Sequence, residues 1–254
     1  MRCYSWNVNG IRAAQRKDLL PWDQMPEADI ICLQETKAHV EQLDPEIAEP
    51  HGWHATYSAG QRKGYSGVAV ISRERPDEVV EGIGTPKFDK EGRVIRARFG
   101  DLVVLSAYFP KSDVEEVRYE YKLAFCRAIR RFLLDQVESG RDVLLMGDYN
   151  IAHEPIDLAR PRENEGNPGF LPAERSWMSR YLRSGFHDVY RERNPDLGGA
   201  YSWWSYRSGA RQKNIGWRLD YGTVNRRLLD RVDGARIHPE VMGSDHCPVS
   251  VFLG

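Results

Sequence analysis

Residues 94–108 read VIRARFGDLVVLSAY. Two apolar, β-branched runs, Val94 to Phe99 and Leu102 to Tyr108, flank the pair Gly100-Asp101. Two residues of this type between two such runs predict an antiparallel hairpin with a tight turn. Working outward, the next segment after Pro110 has helical spacing. Ser112 and Glu115 match a capping box. Val114, Val117, Tyr121, Ala124, Ala128 and Phe132 then recur every three or four residues as one apolar stripe, and Gly140 would end the helix. A further strand is expected from Val143 to Met146, and others at Ile30 to Leu33, Val68 to Ile71 and Val249 to Leu253, several of them buried on both faces. A second helix is expected from Pro172 to Leu182, with Trp177, Tyr181 and Leu182 on its apolar side. Many strands, some in hairpins, with interspersed helices imply an α/β fold of sheets covered by helices. Periodicity does not give the number of sheets.

The chain has 254 residues, 41% hydrophobic and 29% charged, an ordinary globular composition. It holds no repeat and no long linker, so one domain spanning 1–254 is expected. No apolar run approaches the roughly 18 residues a membrane span needs. The first ten residues, MRCYSWNVNG, lack an apolar signal core, and a cytoplasmic location is expected. Cys3, Cys32, Cys126 and Cys247 include no Cys-x-x-Cys spacing and sit in or beside apolar stretches, so they read as buried, reduced thiols. With no coiled-coil pattern or apolar seam, a monomer is expected.

The formal net charge is −1, which argues against a protein that coats nucleic acid. Its distribution is uneven. Arg207, Arg211, Lys213 and Arg218 follow one another without an intervening acid, Arg160 and Arg162 bracket Pro161, and Arg62 adjoins Lys63. The acids gather elsewhere, at Asp113, Glu115, Glu116 and Glu120. Either one face touches nucleic acid, or these are solvated surface charges.

Polar residues accumulate where apolar runs end, the places from which loops present side chains to a ligand. In WNVNG, strand alternation puts Asn7 and Asn9 on one side, to bond phosphate or a carboxylate, or merely to end a strand in a turn. In ICLQETK, Glu35 follows a buried run. It needs water, a metal or a base such as Lys37 as partner, and an oxygen ligand of this kind suits Mg²⁺ or Mn²⁺. In LMGDYN, Asp148 could orient or deprotonate a water and Asn150 could donate to phosphate oxygen, or the two could form a turn. In GWRLDY, Trp217 and Leu219 share a face and could wall a pocket for a flipped-out sugar, or be core. In GSDHCP, His246 beside a carboxylate such as Asp220 would be held protonated for a phosphate contact, or be a satisfied core histidine. Tyr108 adds a phenol donor. Together these groups fit metal-assisted phosphodiester hydrolysis. A nucleophile elbow, a Walker A loop, a dinucleotide fingerprint after the first strand and His-Glu-x-x-His are all absent.

The order and wording of these clusters resemble the exonuclease III family of abasic-site endonucleases, within the endonuclease/exonuclease/phosphatase superfamily. The resemblance runs from Arg2 to about Leu253. It rests on SWNVNG (5–10), LQETK (33–37), GYSGVAV (64–70), EGRVI (91–95), GDYNIAHEPIDL (147–158), NIGWRLDY (214–221) and GSDHCP (243–248). It implies a four-layered α/β sandwich, two packed mixed β-sheets flanked by helices. It implies Mg²⁺ (or Mn²⁺) held by Glu35, with Asn7 and Asn9 nearby and Asp245 assisting. Asp148 would stand next to the attacking water, Asn150, His246 and Tyr108 on the phosphate, and Asp220 behind His246. Trp203, Trp217 and Leu219 would form the sugar pocket, Asn164 and Asn167 a phosphate-contacting loop, and Arg207 the side chain inserted at the lesion. The implied substrate is double-stranded DNA with abasic or 3′-blocked sites. The implied activity is cleavage 5′ to the abasic site leaving a 3′-hydroxyl, with 3′-5′ exonuclease and 3′-phosphodiesterase activity. Asn9 stands where animal-type members carry an acid, which bears on metal number. Lys111-Ser112-Asp113 departs from the family pattern, leaving deoxyuridine cleavage open. Two other readings are a superfamily phosphoesterase acting on RNA, inositol phosphates or a phospholipid, and a non-catalytic DNA-binding module. Substrate profiling separates the first. Salt-dependent binding without metal-dependent turnover marks the second.

Overall fold

The Gly100-Asp101 hairpin forms in the computed structural model, which describes residues 1–113 and 116–254. Its strands belong to a set of twelve among the described residues. In chain order these are β1 (Arg2–Asn7), β2 (Ile30–Gln34), β3 (His54–Ser58), β4 (Val68–Ser72), β5 (Glu78–Glu81), β6 (Val94–Phe99), β7 (Leu102–Tyr108), β8 (Asp142–Asp148), β9 (Phe186–Asp188), β10 (Asp220–Asn225), β11 (Val232–Ile237) and β12 (Val249–Leu253). The long apolar runs are the inner strands. The short or polar strands β3, β5, β9 and β11, which no apolar run announces, are the sheet edges.

The strands form two six-stranded sheets, β11-β12-β1-β2-β4-β3 and β5-β6-β7-β8-β10-β9. Each has a parallel pair at its centre, β1 with β2 and β7 with β8, and antiparallel neighbours outside it. Both sheets are therefore mixed. Cys3, Ile30, Cys32, Val68 and Val70 of one sheet pack with Ile95, Val104, Leu144 and Met146 of the other, so the main core lies between the sheets. The outer face of the second sheet packs under two helices, Glu116–Glu138 and Pro172–Arg183. The outer face of the first packs under short helices and loops around Ile11, Met25 and Ile47. The result is the expected four-layered sandwich.

β7 and β8 approach so closely that a Cβ on Gly147 would lie 1.9 Å from the Ala107 carbonyl oxygen. Only glycine fits there, and it brings the end of β8 flush with the end of β7. Polar side chains also tie the sheets. Gln34 Nε2 donates to Ser106 Oγ at 3.0 Å, and that hydroxyl donates to the Leu33 carbonyl at 2.9 Å.

The long helix departs from its expected face. Val117 is 77% exposed, while Phe125, Cys126, Ile129 and Leu133 are fully buried. Tyr121, Ala124, Ala128 and Phe132 only flank that core. Spacing found a neighbouring stripe, because apolar residues populate two adjacent rows and only the sheet beneath selects between them. The expected capping box and Val114 involve residues outside the described ones. The helix ends at Glu138 and Gly140 follows with φ +82°. The second helix matches its expected span to one residue, with Trp177 and Tyr181 buried. All four cysteines are buried and free. Among the described residues, no helix is long and apolar enough to cross a membrane.

Candidate active site

Strand pairing sets three of the expected residues in one row. Tyr108 on β7 pairs with Asp148 on β8, which pairs with Asp220 on β10. Two carboxylates side by side on neighbouring strands repel unless something between them is positive or shares a proton. His246 supplies that charge. Its Nδ1 lies 2.8 Å from Asp220 Oδ2, and its Nε2 lies 3.8 Å from Asp148 Oδ2. Ser202 Oγ also donates to Asp220 Oδ2 at 2.7 Å and accepts the backbone N–H of Leu219 and of Asp220. Nothing in the sequence around Ser202 signalled that role.

The other sheet contributes at the same end. Asn7 closes β1, and Glu35 follows β2 directly. Asn7 Nδ2 donates to Glu35 Oε1 and to Asp148 Oδ2, each at 2.9 Å. One amide therefore links the carboxylate ending one sheet to the carboxylate ending the other. Asn9 Nδ2 donates to Asp245 Oδ1 at 2.9 Å, and Trp203 Nε1 to Asp245 Oδ2 at 3.0 Å. Asn150 donates its backbone N–H to Asp148 Oδ1 at 2.8 Å and its Nδ2 to the Phe109 carbonyl at 3.0 Å.

Asn9, Glu35, Lys37 and Asn150 all adopt positive φ, between 49° and 53°. Such backbone is uncommon for residues other than glycine and gathers at functional sites. Here it turns the chain sharply as each strand ends, so the side chains crowd one cleft.

Charge state follows from this crowding. Burial would raise the Glu35 carboxyl, yet the Lys37 ammonium at 2.8 Å, the Asn7 amide and Lys111 hold it at about 2. Of the partners considered for Glu35, the structure supplies the base, Lys37. Burial raises Asp148 to about 6, with Asp220 and Glu35 adding to the rise and His246 and Lys111 opposing it. Burial would lower His246, but Asp220 and Asp148 outweigh it and raise it to about 9. Burial, then Glu35 and Asp148, hold the Tyr108 phenol protonated, well above its ordinary range.

A divalent cation fits this donor set at Glu35. Its Oε2 faces a cation already, the Lys37 ammonium, which also donates to Asn9 Oδ1. The two Glu35 oxygens are ligands of the kind Mg²⁺ and Mn²⁺ prefer, while the groups that meet them at 2.9 and 2.8 Å are nitrogens, the Asn7 amide and the Lys37 ammonium. Asp148, Asp220 and His246 also lie within chelating distance of one another. There, however, Nδ1 is engaged by Asp220, and binding an ion would require the imidazolium to lose its proton.

Beside the polar cleft lies a pocket of about 170 Å³ lined by Lys111, Ser112, Asn150, Pro168, Gly169, Trp203, Trp217 and Leu219. It is smaller than the roughly 300–1,000 Å³ of sites for drug-sized ligands. Phe170 packs behind the Trp217 ring. All three expected pocket residues line it. Larger hollows lie elsewhere, one of about 630 Å³ between the edge strands β3 and β5, but their linings include none of Asp148, Asp220 and His246.

The expected basic patch is mostly consumed internally. Arg218 is buried against Asp157 at 2.8 Å and Asp188 at 2.7 Å. Arg211 donates to the carbonyls of Pro239, Val241 and Ser244, and Lys213 to that of Ser208. Only Arg207 of that run stands exposed with no side-chain partner among the described residues. Charge counting cannot separate a guanidinium that folds a loop from one that meets a ligand. Asn164 spends its amide on the carbonyls of Ala159 and Arg160, and Asn167 donates to Asn164. They form a turn leading into the Pro168-Gly169 wall and lie apart from Asp148, Asp220 and His246.

Residues 4–246 match the model of the Endonuclease/Exonuclease/phosphatase family. The chain is 44% identical over 254 residues to a Bacillus subtilis exodeoxyribonuclease, covering 100% of this chain and 99% of that protein. Among solved structures it resembles an AP endonuclease from Archaeoglobus fulgidus, with a TM-score of 0.89 and 30% identity, covering 100% and 99% of the two chains. It also resembles a 3′ phosphatase from Neisseria bound to product DNA hairpin, with a TM-score of 0.91 and 26% identity over 100% and 99% of the chains.

Proposed function

The chain belongs to the Endonuclease/Exonuclease/phosphatase family, and on that premise we propose that it is a DNA repair nuclease of exonuclease III type that cleaves the phosphodiester 5′ to an abasic site. The observation that carries this reading is the Asn7 amide joining Glu35 to Asp148 beside an apolar pocket of about 170 Å³. A phosphodiester chemistry set and a sugar-sized hollow share Asn150 as a common wall. The substrate is double-stranded DNA with abasic or 3′-blocked ends, and 3′-5′ trimming uses the same residues. The protein acts as a cytoplasmic monomer.

The abasic sugar leaves the helix and enters between Trp217, Trp203 and Leu219. A missing base lowers the unstacking cost, and the small pocket rejects larger groups. Asp148, ionised, takes a proton from a water aligned with phosphorus. The water oxygen bonds to phosphorus as the bond to the upstream 3′ oxygen breaks; that oxygen takes a proton from solvent, giving a 3′-hydroxyl and a 5′-sugar phosphate. His246, Asn150 and Tyr108 donate to the phosphate oxygens, where negative charge gathers. Glu35, with Asn7, Asn9 and Asp245 near it, would hold Mg²⁺ or Mn²⁺, which supplies Lewis-acid stabilisation of that charge. Arg207 contacts the duplex at the lesion, and the Asn164–Asn167 turn its flanking phosphate. Lys111 lines the pocket, and the deoxyuridine question rests on whether that wall accepts a base.

The test is a labelled duplex with one tetrahydrofuran abasic mimic, incubated with Mg²⁺ or with EDTA and resolved on a denaturing gel. The mimic cannot undergo β-elimination, so a Mg²⁺-dependent nick on its 5′ side is hydrolytic and supports the reading. No nick from folded protein sinks it. Asp148→Asn should lower kcat by about 10³–10⁴-fold, within the range of general base catalysis, while duplex binding persists. Near-native turnover in that variant removes Asp148 from its role.

A further inference from the structure

Glu174 and Lys122 are both fully buried, and their ion pair measures 2.7 Å. The pair touches no substrate, yet its hydrogen bonds run to the pocket walls. Glu174 Oε2 accepts the backbone N–H of Gly169 at 2.8 Å and of Leu171 at 3.0 Å. Glu174 Oε1 accepts the Ser112 hydroxyl. Lys122 donates to the Asn150 carbonyl at 2.6 Å. One buried carboxylate thus holds the Gly169 wall with one oxygen and the Ser112 wall with the other.

These two walls differ in slack. Gly169 has φ +89°, and a Cβ there would lie 3.3 Å from the Asn150 carbonyl and 3.4 Å from the Trp217 ring. That wall is closed tight. The Trp217–Leu219 wall runs straight into β10, and Asn150 follows β8. Lys111-Ser112 lies outside any strand or helix, and among the described residues its tie into the core is the Ser112 hydroxyl. A hydrogen bond to a charged, fully desolvated carboxylate is a strong tie. The width of the pocket is therefore set from the Ser112 side.

We propose that Ser112, through its hydroxyl bond to Glu174, is a specificity-determining residue that keeps the sugar pocket too narrow for a base-bearing nucleotide. The proposal rests on the abasic-site reading and adds to it the part that rejects undamaged DNA. Ser112 falls in the segment whose wording departs from the family pattern, so the device belongs to this chain's own residues.

Ser112→Ala removes the hydroxyl and leaves Glu174 with three partners, so the buried charge stays satisfied and the protein folds. The experiment uses duplexes whose central sugar carries hydrogen, methyl or phenyl at C1′, and reads kcat/KM for each. For the parent, the rate falls steeply along the series. For S112A, the ratio of the hydrogen to the phenyl substrate should fall about tenfold, the scale on which pocket shape discriminates. Ser112→Thr retains the hydroxyl and should retain the parent ratio. A uniform loss across the series in S112A, or an unchanged ratio, overturns the proposal while leaving the nuclease reading intact. A folded parent that does not nick the tetrahydrofuran duplex overturns both.

Discussion

Two lysine–glutamate pairs in this molecule have nearly the same contact distance and opposite surroundings. Lys37 meets Glu35 at 2.8 Å with the lysine 31% exposed, while Lys122 meets Glu174 at 2.7 Å with both side chains sealed. Glu174 spends both oxygens on fixed N–H and O–H donors as well as on its lysine. Glu35 has a single amide, Asn7, and an ammonium that water can reach. The sealed pair cannot exchange its cation, because no other cation can enter. The open pair can, because Lys37 has solvent to move into. Equal distances thus give a sealed strut in one place and, in the other, a carboxylate whose cationic partner water can reach. Access, not contact geometry, separates them.

Breaking the sealed pair should give the largest effect. Lys122→Met leaves Glu174 charged and unpaired in the core, at a cost of about 3–5 kcal/mol. Urea unfolding of K122M should show a midpoint shift of that order. A shift under 1 kcal/mol would mean the pair is not sealed in solution. Glu35→Gln tests the other side. It should reduce kcat by about 10²–10³-fold, the scale of losing one stabiliser of transition-state charge. Its unfolding free energy should fall by less than that of K122M, because the partner it leaves, Lys37, can be solvated rather than stranded in the core. If E35Q unfolds as readily as K122M, the two pairs are alike and the contrast fails.

Metal addition sharpens the same contrast. Mg²⁺ or Mn²⁺ at a hundred times its Kd should stabilise the parent by about 2.7 kcal/mol. K122M should gain the same increment and E35Q none of it. Thermal melts with and without EDTA read this directly.

The smallest effect is on pH dependence. Asp148 acts ionised, and burial raises its pKa to about 6, so kcat should fall as pH drops below that value. In the proposed mechanism His246 acts protonated. Against its burial, Asp220 and Asp148 raise it to about 9, so kcat should also fall as pH rises above that value. The two limbs belong to the Asp148–His246–Asp220 group as a unit. Asp220→Asn should move the alkaline limb to lower pH. An alkaline limb that stays in place would separate Asp220 from His246.

Much of this arrangement was legible in the chain. Six of the eight inner strands announced themselves as apolar runs, because a strand buried on both faces has little room for polar residues; β1 and β10, with polar residues along their length, did not. Asn7, Glu35, Asp148, Asp220 and His246 were visible as polar groups at or beside the ends of such runs, where burial is costly without a partner. The edge strands β3, β5, β9 and β11 were not legible, since a half-solvated strand needs no apolar pattern. Nor was the buried row of the long helix, where Val117 matched the spacing but faces solvent. Arg211 and Arg218 read either as nucleic-acid-facing or as solvated surface charge, and turned out to hold the backbone and two buried aspartates.

The sequence by itself determined where the apolar strands run, which carboxylates lie at their ends and what chemistry those residue types permit. These are local facts, set by side-chain volume, polarity and backbone preference over a few positions. Only the tertiary structure decided partnership. It brought Asn7 to Asp148 across 141 residues of chain. It gave Glu174 to Lys122 rather than to solvent, and left Lys37 open while closing Lys122. Those outcomes depend on which sheet packs on which and what water can still reach, and no stretch of the chain carries that information alone.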